Sequence, residues 1–216
     1  FGTVTSWLVD VVNILTGNLD RPGGAMFASS PIAGAPRPAR PGRGFKTGRW
    51  HSRVSGHPEA LSELPTVALA EEIETAGDGQ VRALITIAGN PVLSAPDGAR
   101  LADALAGLDF MVSVDPYLNE TTRHADVILP PPPPSGVGHF DVALSGAVVR
   151  NNARYSPPVL PLPAGRPDEC EILSRLALFA LGMGPDADPQ LVDGQVIASA
   201  LGKEVADPDS PVAGRT

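Results

Sequence analysis

Ala83-Leu-Ile-Thr-Ile-Ala-Gly-Asn-Pro-Val92 reads as a strand that runs into a polar turn. Its first six residues are an apolar, β-branched run with the length of a buried strand, and Gly89-Asn90-Pro91 stops it. A helix follows over Asp97–Ala106, with Ala99 to Leu105 its clearest part, and a second strand, Phe110–Val114, ends in Asp115. This strand–loop–helix–strand unit leaves a polar residue at the carboxyl end of each strand. In open α/β sheets that edge is where ligands bind, so a nucleotide-type pocket is expected near Asn90 and Asp115.

Phe1–Thr16 reads as a helix with Trp7, Leu8, Val11, Val12 and Leu15 as its apolar stripe. Gly17 offers a left-handed helix end, and Pro22-Gly23 turns the chain. Residues 28–58 form a long irregular segment carrying Arg37, Arg40, Arg43, Lys46, Arg49, His51 and Arg53. A solvated basic loop is the simpler reading; a surface against an anionic partner or cofactor is the sharper one. Leu64–Ala76 is expected as a helix with Glu71, Glu72 and Glu74 facing solvent, closed by Gly77-Asp-Gly79. Asn119 can cap a short helix over Glu120–Ala125, and Asp126-Val-Ile-Leu129 is a third strand. Pro130–Pro134 cannot pair in a sheet and extends as polyproline II. Residues 139–163 read as an extended wrap, Asp168–Leu181 as a helix with Ile172, Leu173, Leu176 and Phe179 or Ala180 on one face, and Leu191–Leu201 as a weaker helix before a polar, disordered tail. The expected organisation is a helix and Gly-rich turn over 1–27, the basic loop over 28–62, an α/β domain over 63–182, and a helix with tail over 183–216.

The 216 residues suffice for one α/β domain with tails, or for part of a larger protein. A hydrophobic content of 43% supports a real core. The net charge of −8 argues against nucleic acid, which needs a basic surface. No apolar run reaches the ~20 residues of a membrane span. One cysteine, Cys170, excludes an internal disulfide framework; a core or half-buried thiol is expected there. Proline (24) and glycine (23) exceed a fifth of the chain, and it starts at Phe1 without a signal-peptide pattern. Both features are expected of a piece of a larger protein whose loops pack on other domains.

Each candidate has two readings. Asn90 is a turn residue, or its amide and the neighbouring N–H groups meet a phosphate or nucleoside. Asp115 forms an Asx turn, or its carboxylate accepts from a guanine edge or ribose hydroxyls. His139 is an ordinary loop residue by default, and Asp168 a helix cap. No two histidines stand at i, i+4 on a helix, and no P-loop, G-x-S-x-G or G-x-G-x-x-G occurs.

Three segments resemble the molybdopterin-dinucleotide oxidoreductases, the bis-molybdopterin guanine dinucleotide (bis-MGD) enzymes such as formate dehydrogenases and periplasmic nitrate reductases. They are Leu15-Thr-Gly-Asn-Leu-Asp-Arg-Pro-Gly-Gly24, the G-x-N-P turn in Ala88-Gly-Asn-Pro-Val92, and Val114-Asp-Pro-Tyr-Leu-Asn-Glu-Thr-Thr-Arg-His-Ala-Asp-Val-Ile-Leu-Pro130. The last carries a D-x-x-x-x-E-T-x-x-x-A-D-V-x-L-P signature; residues 139–181 match more loosely. The resemblance implies a three-layer, open, mostly parallel α/β sheet of the Rossmann-like formate dehydrogenase and DMSO reductase type. It implies a molybdenum or tungsten molybdopterin guanine dinucleotide, contacted by Asn90, Asp115 and Asp168 through side chains, by Val114 through backbone, and by His139 near a polar contact position. It further implies an oxidoreductase parent with a small-molecule substrate, formate being one guess, and partners in the remaining domains of the parent chain.

The departures are as informative. The family's amino-terminal iron–sulfur motif, expected to hold a four-iron–four-sulfur cluster, is not in this sequence. Nor are the segment supplying the metal's Cys, selenocysteine or Ser ligand and the carboxyl-terminal barrel, and Cys170 stands in the wrong context for that ligand. An internal, inactive piece of a cytoplasmic enzyme is therefore expected, with periplasmic export left open. The alternatives are a cofactor-free structural relative, like the large peripheral subunit of respiratory complex I, and an inert α/β subdomain.

Overall fold

The computed structural model describes residues 1–27, 46–141, 148–150 and 152–210. Arg37, Arg40 and Arg43 lie outside them, as does the end of the polar tail. In chain order the elements are helices α1 (Gly2–Leu15) and α2 (Leu69–Glu74), strand β1 (Ala83–Ile87), and helices α3 (Pro91–Ser94) and α4 (Gly98–Leu105). Strands β2 (Phe110–Val114), β3 (Val127–Ile128), β4 (His139–Phe140) and β5 (Tyr155–Ser156) follow, then α5 (Glu169–Ala180) and α6 (Gln190–Ala206). Contacts divide the chain into two units, Phe1–Arg43 with Gly138–Pro158, and Gly44–Val137 with Val159–Thr216.

In the first unit α1 buries none of its residues, and Trp7 is 62% exposed. Gly17 closes the helix at a φ of +69°, while the Thr16 hydroxyl donates to the Val12 carbonyl at 2.7 Å. The Asp20–Gly24 turn is drawn shut by an Asp20 N–H to Ala25 O bond of 2.6 Å. A Cβ on Gly24 would lie 2.1 Å from the Asn18 carbonyl oxygen, so only glycine fits there. Strands β4 and β5 pair antiparallel, His139 opposite Ser156 and Phe140 opposite Tyr155.

The second unit is α/β. Strands β1, β2 and β3 form a parallel sheet in that order, with Ala83 opposite Phe110 and Val112 opposite Val127. Side chains alternate between faces along a strand. Leu84 and Met111 therefore share one face, where they pack with Ala70 and Ile73 of α2 and with Leu101, Ala104 and Leu105 of α4. Met111 and Leu105 are 0% and 1% exposed, which places the core on this side of the sheet.

The opposite face carries Ala83, Ile85, Ile87, Phe110, Val112 and Val127. The expected burial of β1 does not hold here: Ile85 is 48% and Ile87 53% exposed. Helices α2 and α4 cover only one face. On the other, Leu176, Phe179 and Ala180 of α5 face Ile85, Phe110 and Val127 across a cavity of about 620 Å³. Helix α5 itself buries Ile172, Ser174 and Leu178, so its buried side differs from the stripe expected from spacing. Helix α6 runs to Ala206, beyond the expected Leu201.

Two arginines expected on a solvated or ligand-facing loop are tied internally. Arg49 clasps the fully buried Glu59 through Nη2 and, at 3.1 Å, through Nε. Arg53 Nε reaches Glu72 at 3.2 Å, and Glu72 also accepts the Val54 N–H at 2.9 Å. Glu72 is thus buried, against the expectation that it faces solvent. The Arg49 guanidinium, helped by the Ser62 and Arg49 N–H groups and opposed by burial, holds the Glu59 carboxyl down to about 2.

Candidate functional site

The carboxyl ends of β1 and β2 are built around one unusual backbone position. Ala88 has a φ of +48°, a left-handed conformation costly for a residue with a Cβ. This bend sends the chain off the sheet while the Ala88 N–H still donates to Val114 O at 3.0 Å. The Val114 carbonyl is therefore engaged within the sheet, and its side chain is buried. Pro91 then opens α3 at the position where a missing N–H costs nothing. The Asn90 carbonyl accepts from Leu93 N and Ser94 N, both at 3.0 Å. Gly98 lies where a Cβ would meet the Val92 carbonyl oxygen at 1.9 Å, which lets α3 and α4 touch through backbone.

A chain of hydrogen bonds, running through side chains and the Thr121 backbone N–H, joins the two strand ends. Asn90 Nδ2 donates to Glu120 Oε2 at 2.6 Å, and Asn90 Oδ1 accepts from the Thr121 hydroxyl at 2.7 Å. The reverse amide orientation would set an oxygen against a carboxylate, so chemistry fixes this one. The same Thr121 oxygen accepts Val92 N at 3.1 Å. Asn119 Oδ1 accepts from Thr121 N and Thr122 N, both at 3.0 Å, and Asn119 Nδ2 donates to Asp115 Oδ2 at 3.3 Å. Asp115 Oδ1 accepts Tyr117 N at 2.8 Å. Thr121 and Thr122 are fully buried, and Asp115 is 7% exposed. The Glu120 carboxylate is exposed, and the Asn90 amide pulls its pKa below the ordinary value.

Of the residues singled out from sequence, Asn90, Val114 and Asp115 thus meet at one edge. Asp168 caps α5, its Oδ1 accepting Glu171 N at 2.8 Å. His139 lies in β4, in the other unit, and is exposed. Cys170 is exposed, against the expectation of a core or half-buried thiol. Partial desolvation, then the carboxylates of Asp168, Asp193 and Glu169, push its thiol pKa up, away from the reactive thiolate.

Sequence reasoning gave no role to Glu120 and Thr121, or to Asp126, whose Oδ2 accepts Met111 N at 2.7 Å and pins β3 to β2. The signal that points to them is their place in the D-x-x-x-x-E-T-x-x-x-A-D-V-x-L-P signature, where they are the E, the T and the second D.

Chemically the edge offers acceptors: two Asp115 oxygens with one internal donor each, and the Glu120 carboxylate. A carboxylate oxygen has room for a second donor. Parallel N–H donors of a purine edge and vicinal hydroxyls of a sugar fit this set. Among the described residues no group of three His, Cys, Asp or Glu is placed to hold a metal ion, and no helix is long and apolar enough to cross a membrane.

Comparison with known proteins converges on one family. The family profile described as "Molybdopterin oxidoreductase" matches residues 1–132. An assimilatory nitrate reductase catalytic subunit of Bacillus subtilis is 39% identical over 70 residues, 32% of this chain and 10% of the relative. A nitrate reductase of Symbiobacterium thermophilum is 28% identical over 185 residues, covering 77% of this chain and 24% of the relative. An F420-dependent formate dehydrogenase subunit alpha of Methanocaldococcus jannaschii is 38% identical over 64 residues, 30% of this chain and 9% of the relative. The matched region is thus a quarter or less of each of these relatives.

Proposed function

Because this chain belongs to the molybdopterin oxidoreductase family, we propose that it forms part of a molybdenum or tungsten oxidoreductase and holds the guanine dinucleotide end of a bis-MGD cofactor. The family implies a molybdenum or tungsten pterin; the dinucleotide form is our inference. The observation that carries it is the continuous link from Asn90 through Thr121 and Asn119 to Asp115 at the carboxyl edge of the sheet. When bound, the pterin supplies the redox chemistry. The chain's residues bind and orient it. Asp115 accepts the N1–H and exocyclic amine of guanine through its two oxygens, held in place by the Tyr117 N–H and the Asn119 amide. Asp168 is proposed as a further contact, through the oxygen its cap does not use. Nitrate and formate, named for the relatives, are the candidate substrates.

Asp115→Ala removes the two-oxygen acceptor. It is expected to lower the guanine nucleotide and molybdenum or tungsten content of the purified full-length protein about tenfold, the worth of a hydrogen bond to a charged group. Cofactor content equal to that of the wild type would overturn the assignment. A second reading, a cofactor-free structural relative, draws on the same carboxylate, since both Asp115 oxygens already have donors without a ligand. Wild-type protein purified with neither metal nor pterin would favour it.

A further inference from the structure

Asn90, the strand-end residue expected to touch the ligand, has its carboxamide engaged at both ends. Nδ2 is bound to Glu120 and Oδ1 to Thr121. Thr121 is fully buried, but Glu120 is exposed. What Asn90 presents outward is therefore a held carboxylate. A carboxylate accepts hydroxyl donors well and repels phosphate oxygens.

We propose that Glu120 determines specificity at this edge by accepting the ribose hydroxyls of the nucleoside, and that Asn90 is a positioning residue that aims it. This rests on the guanine dinucleotide reading above. It changes what the β1 end is for, because the edge takes the uncharged nucleoside and the phosphates lie away from Glu120. Acidic residues at strand ends take ribose diols elsewhere by the same chemistry. The Asn90–Glu120 bond of 2.6 Å limits the side-chain freedom that an exposed Glu would otherwise lose on binding.

The test uses the full-length protein prepared without its cofactor, titrated by calorimetry with guanosine, 2′,3′-dideoxyguanosine and GMP. Wild-type protein is expected to prefer guanosine to the dideoxynucleoside about tenfold, the scale of a hydrogen bond to a charged acceptor. Glu120→Ala should bring that ratio close to one while keeping dideoxyguanosine binding. Glu120→Gln, which keeps the shape and removes the charge, should improve GMP relative to guanosine. Asn90→Ala should reduce the diol preference without abolishing base binding, a pattern that a purely structural role would not produce. Guanosine binding in the wild type with an unchanged ratio in Glu120→Ala would overturn the Glu120 assignment alone. No binding of guanosine or GMP to the wild type would overturn it together with the dinucleotide reading.

Discussion

At Ala88 a methyl group sits in a conformation that glycine adopts freely. The φ of +48° is retained although Gly89 follows directly. Ala88→Gly is expected to stabilise the protein by about 1 kcal/mol, read as a higher urea midpoint at unchanged slope. A lower midpoint would mean that the Ala88 methyl makes a contact worth more than the strain. Glu59 makes a different prediction. Its folded pKa of about 2 lies below the ordinary 4.5. The stability it contributes is therefore complete above about 4.5 and is lost as the pH falls toward 2. Glu59→Gln should flatten that part of a pH-dependent denaturation series, and an unaltered acid limb would disprove the link.

At the level of elements, α3 and α4 approach so closely that Gly98→Ala must push the Val92 carbonyl aside. A loss of roughly 1–3 kcal/mol is expected in chemical denaturation. Leu105→Ala, at a residue 1% exposed under the sheet, should cost about 2–5 kcal/mol. Which parts of the fold sequence could reveal follows from the range of the forces involved. Strands β1 and β2 and helix α4 are visible because their apolar spacing is a local signal. The fate of Glu72 is not, since its partner Arg53 lies nineteen residues earlier. Leu191–Leu201 carries only a weak helical signal in the sequence, and Val196 and Ile197 of α6 are exposed. At the site, the turn signals exposed Asn90 and Asp115. The Asn90–Glu120 bond spans thirty residues and depends on two strands being neighbours, which no periodicity encodes.

At the scale of the molecule, Ile85, Ile87, Phe110 and Val127 leave one face of the parallel sheet between 39% and 53% exposed each. Partly exposed apolar side chains of this kind, most of them facing α5 only across a cavity, bind hydrophobic dyes. Anilinonaphthalene sulfonate fluorescence should rise with the native protein and fall clearly in the Ile87→Thr, Phe110→Ser double variant. An equal signal from both would place the dye elsewhere. The Thr121–Asn119 link ties the ends of β1 and β2 together before any ligand arrives. Two strands that end in one shared set of bonds reach the moment of association already frozen, the entropy of that ordering having been spent when the chain folded. Association at this edge should then follow a single exponential whose rate grows linearly with ligand concentration, without the plateau that a slow rearrangement would impose.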